Sequence, residues 1–291
     1  MNVLPEPASR FYQSHGLRLH YVDWGNEAAP PLILVHGGAD HCRSWDWVAR
    51  SLQPYFHVVA PDMRGHGDSE WAKGSSYSLS DYVYDLTRLV RSAAIEQPAI
   101  VAHSMGGMIS LAYAGTFPER VSRLAVLDGM FLPAVAAKPI DQQIANWIAQ
   151  LDRLAERNAP GFRSISDAAE RIRQRNARLT PEQALHLATH GVRKNADGSY
   201  GWKFDPSQRA TAPYRLSADH YTALWSRITC PTLLLRGSES FLADPAASGL
   251  VAHIGHADAR TIAGAAHWLQ HDRLDEVLAA LHPFLGISGG A

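Results

Sequence analysis

The chain has 291 residues, of which 46% are hydrophobic and 19% charged, so it can bury a sizeable core and is not disordered by composition. Its 27 Lys and Arg balance 28 Asp and Glu to a net charge of -1. That removes any electrostatic reason to expect nucleic acid or an anionic membrane as a partner. The two cysteines, Cys42 and Cys230, show no metal or redox spacing and read as reduced thiols. The N-terminus lacks a basic stretch followed by an apolar one, and no apolar run reaches the roughly 20 residues that span a bilayer. The expectation is a cytoplasmic chain.

In chain order, short apolar runs alternate with helical patterns. Strands are expected at 19–22, 32–35, 57–60, 99–102, 124–127, 232–235 and 260–262, with glycines at or near their ends. The central runs are apolar on both faces, which suits a parallel sheet covered by helices. Helices are expected at 45–52, at 80–94 with Ser80 as N-cap, at 108–116 and at 272–284. This alternation predicts a doubly wound α/β domain.

From about residue 130 to 224 the rhythm changes. Helical patterns at 140–157 and 167–178, a helix start at Thr180-Pro181-Glu182 and a turn signal at Asn195-Ala196-Asp197-Gly198 replace the strands. We read 1–129 and 225–291 as one core domain and 130–224 as a mostly helical cap inserted into it.

The sharpest local signal is Ala102-His103-Ser104-Met105-Gly106-Gly107. A nucleophile elbow needs small residues two positions either side of its centre so that the chain can turn tightly from strand to helix. Ala102 and Gly106 satisfy that, and the turn projects the Ser104 hydroxyl beside the N-terminal amides of the next helix. Serine is a weak nucleophile and needs a base. Among 15 histidines, His267 is the candidate, because it follows the last strand and precedes the last helix. His271 is expected to be exposed. His186 and His190 have i,i+4 spacing but lack the Glu of H-E-x-x-H, so no metal is expected. The oxyanion hole needs two backbone N–H groups. Met105, next to the nucleophile, and Gly38, in His36-Gly37-Gly38, are the candidates.

These segments, with PDMRGHGDS at 61–69, PERV at 118–121, PTLLLRG at 231–237 and GAAHW at 264–268, resemble the α/β-hydrolase superfamily across nearly the full length. Within it the chain is similar to the serine hydrolase-like, cap-bearing esterase group. The resemblance implies an α/β-hydrolase fold, a mostly parallel sheet flanked by helices, and an esterase-type activity without a cofactor. It also implies that Asp62, Arg64 and Asp68 build the fold rather than do chemistry. The family often places its acid three or four residues after Gly237, where this chain has Ser240 and Phe241. The acid is then Asp128, at the end of the strand after the nucleophile helix, with Glu239 and Asp244 as alternatives. A serine at the elbow argues against haloalkane dehalogenases and epoxide hydrolases, which use an Asp there.

The expected reaction is acyl transfer through Ser104, on a small or medium hydrophobic ester or lactone. Trp45, Phe131, Trp147, Phe241 and Trp268 are candidates for the substrate pocket. The expected partner is a small molecule, with the chain a monomer or homodimer. A carbon–carbon bond hydrolase or perhydrolase with the same triad, and a non-catalytic small-molecule receptor of the same fold, are the alternatives.

Overall fold

The computed structural model of the chain describes residues 6–73, 77–132, 139–156, 161–210 and 216–287. The chain opens with a hairpin of β1 (Ala8–Ser14) and β2 (Leu17–Asp23), turned by His15 and Gly16, both at positive φ as a tight two-residue turn requires. Then follow β3 (Pro31–Val35), β4 (His57–Pro61), β5 (Ala99–His103) and β6 (Arg123–Leu127). All are short and rich in Val, Ile, Leu and Ala. The small antiparallel ribbon of β7 (Val192–Lys194) and β8 (Tyr200–Trp202) stands apart, and β9 (Thr232–Gly237) and β10 (Ala257–Ile262) complete the sheet.

The eight-stranded sheet runs β1-β2-β4-β3-β5-β6-β9-β10. It is parallel from β4 onward, while β2 joins β4 antiparallel. Side chains alternate across it with period two. Ile33, Val35, Ile100, Ala102 and Val126 enter the apolar cluster on one face. Leu32, Leu34, Val101, Leu127 and Leu235 enter the cluster on the other. With both faces covered, the strands need no polar side, and each fully buried Leu, Ile or Val contributes about 1.5–3 kcal/mol.

On the core, the helices are α1 (Asp46–Leu52), α2 (Leu79–Ser92) and α3 (Met105–Thr116). Helix α2 starts earlier than the sequence pattern suggests. Its N-cap is Ser78, not Ser80: the Ser78 hydroxyl accepts the Asp81 N–H and the Asp81 carboxylate accepts the Ser78 N–H. That reciprocal pair decides the start. Between β6 and β9 lie α4 (Ile140–Ala155), α5 (Ile165–Arg173), α6 (Pro181–Gly191), β7, β8 and α7 (Ala218–Trp225). The chain ends with α8 (Leu269–Asp272) and α9 (Leu274–Leu285).

The inserted segment has its own small core of Ala168, Leu179, Ala184, Leu187, Ala188 and Val192. The ribbon of β7 and β8 was not foreseen, although its turn was read; both strands are three residues long, too short for periodicity to register. Helix α7, expected within the inserted cap, packs instead on the sheet side. Its Tyr221 and Trp225 are buried in the same cluster as Ile109 and Leu111 of α3. Polar ties fasten the inserted segment to the loop after β4. Tyr77 donates to Asp205 Oδ2 (2.5 Å), Asp205 N–H donates to the Gly65 carbonyl (2.7 Å), and Lys203 pairs with Asp68 (2.8 Å). No helix among the described residues is long and apolar enough to cross a membrane.

Candidate active site

The elbow sits where β5 feeds α3. Ser104 adopts φ 50 and ψ -117, a conformation costly for a residue with a Cβ. Its surroundings enforce it. The Ser104 N–H donates to the Leu127 carbonyl of β6 (3.0 Å), and the Ser104 carbonyl accepts from Met108 N–H (3.2 Å). Gly106 lies so close to β3 that a Cβ there would collide with the Val35 carbonyl and stand 2.6 Å from that of His36. A Cβ on Gly107 would come within 2.7 Å of Val126 Cγ1. Only glycine permits this closeness, so the spacing of small residues seen in the sequence has a packing cause.

Three side chains from separate segments meet at the end of the sheet. Ser104 Oγ lies 2.9 Å from His267 Nε2, and His267 Nδ1 lies 2.6 Å from Asp128 Oδ2. Asp128 is buried at 5% exposure, at the end of β6, with φ 46; its N–H donates to the Leu235 carbonyl of β9 (2.7 Å). A carboxylate at Nδ1 puts the ring proton there and leaves Nε2 free to accept from the serine hydroxyl. The other two acids considered lie elsewhere. Glu239 is exposed and paired with Arg178, and Asp244 Oδ1 accepts the Ala246 N–H.

Two further contacts hold this arrangement, and sequence reasoning assigned neither. The Ser240 hydroxyl donates to Asp128 Oδ2 (2.5 Å), so the residue standing where an Asp is customary bonds to the acid instead. His103 Nε2–H donates to the His267 carbonyl (2.8 Å), tying the elbow to the loop after β10. Burial holds the His103 ring well below the usual imidazole range, so it stays neutral.

The loop after β3 brings Gly38 beside Met105: a Cβ on Gly38 would lie 3.9 Å from Met105 Cβ. Among the described residues neither the Gly38 nor the Met105 N–H has a hydrogen-bond partner, whereas the next amide, Ala39, donates to His66 Nε2 (3.1 Å). His66 Nδ1–H in turn donates to the Arg64 carbonyl (2.9 Å). His36 Nδ1–H donates to the Gly37 carbonyl (2.6 Å), and its Nε2 accepts the Met63 N–H (3.0 Å). Each imidazole thus has one donor and one acceptor role. Burial lowers their pKa values to about 4 for His36 and about 3 for His66. Both are neutral braces of the loop.

The same loop is held by Asp62, whose carboxylate takes the His20 ring (2.7 Å) and the N–H groups of Cys42 (2.7 Å) and Asp68 (2.9 Å). Burial would raise its pKa, but the hydrogen bond and charge of His20 outweigh it and hold the carboxyl well below the usual range. Arg64 forms a buried pair with Asp85 (2.6 Å). Asp68, by contrast, is exposed and carries the tie to Lys203.

A cavity of about 110 Å³ adjoins Gly38 and Trp268 and is walled by Leu179, Leu187, Trp202 and Phe204. Asp40 also lines it; burial raises its carboxyl pKa to about 7. Of the aromatic residues considered for the pocket, Trp268 lines this cavity, and Phe241 is 75% exposed with its ring 4.6 Å from that of His267. Trp45 is not a pocket residue. It is completely buried in the apolar cluster under the sheet, because it enters the core from the turn before α1. Phe131 packs against the opposite cluster, and Trp147 is half-buried on α4; neither lines the cavity. His271, expected to be exposed, is 6% exposed and lines the cavity wall.

The sequence profile of the family described as alpha/beta hydrolase fold matches residues 30–274. A cis-3-alkyl-4-alkyloxetan-2-one decarboxylase of Shewanella oneidensis is 28% identical, over 94% of this chain and 87% of its own. A 3-hydroxybutyrate-oligomer hydrolase of Cupriavidus necator is 30% identical, over 77% and 78%. Among solved structures, the thioesterase domain from the curacin biosynthetic pathway superposes with a TM-score of 0.83 at 25% identity, covering 97% of this chain and all (100%) of that one.

Proposed function

The chain belongs to the α/β-hydrolase family, and from that premise we propose that it is a serine hydrolase of carboxylic esters or lactones, working through an acyl-enzyme. The observation that carries this reading is His267, with Ser104 at 2.9 Å on one ring nitrogen and Asp128 at 2.6 Å on the other. In this reading His267 Nε2 takes the Ser104 proton as Oγ attacks the substrate carbonyl. The Asp128 carboxylate, buried beside Nδ1, stabilises the imidazolium that results. The unpartnered amides of Gly38 and Met105 receive the oxyanion. His267 then gives its proton to the leaving oxygen, and water repeats the sequence on the acyl-enzyme.

The mostly apolar wall of the cavity next to Gly38 favours a small or medium hydrophobic group, roofed by the inserted segment as a cap. The names of two relatives point the same way: an oxetan-2-one is a four-membered lactone, and a hydroxybutyrate oligomer is an ester. The test is hydrolysis of p-nitrophenyl esters from acetate to octanoate by the wild type and Ser104→Ala, with fluorophosphonate labelling alongside. Turnover and labelling that both vanish in Ser104→Ala support the reading. A wild type that neither turns over nor labels overturns it and favours a receptor of the same fold.

A further inference from the structure

The i,i+4 pair His186 and His190 has no part in the proposed chemistry, and the sequence offers it no third ligand. The fold does. Both rings project from α6 of the inserted segment toward α1 of the core, where Asp46 is completely buried. The donor atoms of Asp46, His186 and His190 all lie within 4.8 Å of one another. His186 Nε2 is already 3.1 Å from Asp46 Oδ2, and the two imidazole rings are 4.7 Å apart.

We propose that Asp46, His186 and His190 form a binding site for a borderline divalent cation of the Zn²⁺ class, which fastens the inserted segment to the core. Two imidazoles and one carboxylate are the donor set such a cation prefers, and Zn–N bonds of about 2.0–2.1 Å put ligand atoms about 3.3 Å apart. The Asp46–His186 pair has that spacing, and His190, its donor atom within 4.8 Å of both, would have to move closer to complete the set.

Asp46 is also the ion-pair partner of Arg43 (2.7 Å) and lies 3.9 Å from Arg50. Arg43 Nε bonds both Asp46 oxygens (2.9 Å each) and so fixes the carboxylate plane, as groups behind a metal ligand commonly do. The Arg43 charge is partly offset by Glu6 (2.5 Å). It still competes for Asp46 Oδ2, which sets the expected affinity nearer micromolar than nanomolar. Binding would take His186 Nε2 from its present contacts with Asp46 Oδ2 and the Arg43 carbonyl (3.2 Å), with the ring proton held on Nδ1 instead. The other cluster of ligand-type side chains among the described residues, His20, Cys42 and Asp62, is internally satisfied and carries no such reading.

The test is isothermal titration of the tag-free, metal-stripped chain with ZnCl₂ at pH 7.5, with thermal denaturation alongside and MgCl₂ as control. Saturable one-to-one binding is expected, with a rise in Tm that Mg²⁺ does not reproduce. His190→Ala, at a half-buried position, should weaken binding about 10-fold or more while leaving the metal-free Tm nearly unchanged. Asp46→Asn, which keeps the shape and removes the charge, should do the same to binding. No saturable binding below about 1 mM Zn²⁺, or an unchanged affinity in both variants, overturns the proposal. Both readouts are independent of ester hydrolysis.

Discussion

Ser240 and His267 share one oxygen of Asp128: the serine hydroxyl approaches Oδ2 to 2.5 Å and the imidazole Nδ1 to 2.6 Å, from the neighbouring loops after β9 and β10. The loop after β9 therefore bonds, through Ser240, to the carboxylate we propose as the acid. Ser240→Ala is expected to lower kcat about 10-fold with little change in KM, because a hydrogen bond to a charged group contributes about 1.5–3 kcal/mol. Steady-state kinetics decides it; a KM effect alone would make Ser240 a substrate contact.

Asp128→Asn keeps the shape and removes the charge that holds the His267 tautomer. A fall in kcat of about 10³–10⁴ is expected, with the fold intact by circular dichroism. Glu239→Gln, which breaks only an exposed pair with Arg178, should leave kcat within about twofold. The reverse pattern would move the acid to the β9 loop.

Much of the candidate site was legible because it is local. The elbow, the Gly38 loop and the final histidine each announce themselves in a few residues. Sequence also placed the strands whose both faces are apolar. The acid stayed open among Asp128, Glu239 and Asp244, since only tertiary geometry shows which of them faces His267. Trp45 misled because a large aromatic reads alike in a core and in a pocket. Strand β1, an exposed edge, escaped notice because its residues are mostly polar.

Gly106→Ala tests the packing of the elbow directly. Its Cβ meets backbone carbonyls of β3, which cannot move aside as a side chain would. A loss of about 1–3 kcal/mol is expected, seen as a fall in Tm of several degrees. An unchanged Tm would mean that β3 and α3 can separate.

The buried imidazoles make the fold acid-labile. Burial lowers His36 and His41 to about 4, and His66 and His271 to about 3, from 6.5. The unfolded chain therefore takes up protons first, so their contribution is complete above pH 6.5 and is lost as pH falls toward 4. Asp40, raised to about 7, and Asp85, also raised by burial, act oppositely, losing stability as pH rises above about 4, but the lowered imidazoles outnumber them, since burial lowers His103 and His190 as well. Calorimetry from pH 8 to 4 should show Tm falling below about 6.5; a flat profile would refute this.

Ser104 and Asp128 end neighbouring parallel strands, and the Ser104 amide is bonded to the residue before Asp128. Both side chains thus stand at the ends of buried central strands, whereas α4, between β6 and β9, has no fully buried residue. Substitutions at Leu179, Leu187, Trp202 or Phe204 would therefore reshape the cavity wall without touching the strands that carry Ser104 and Asp128.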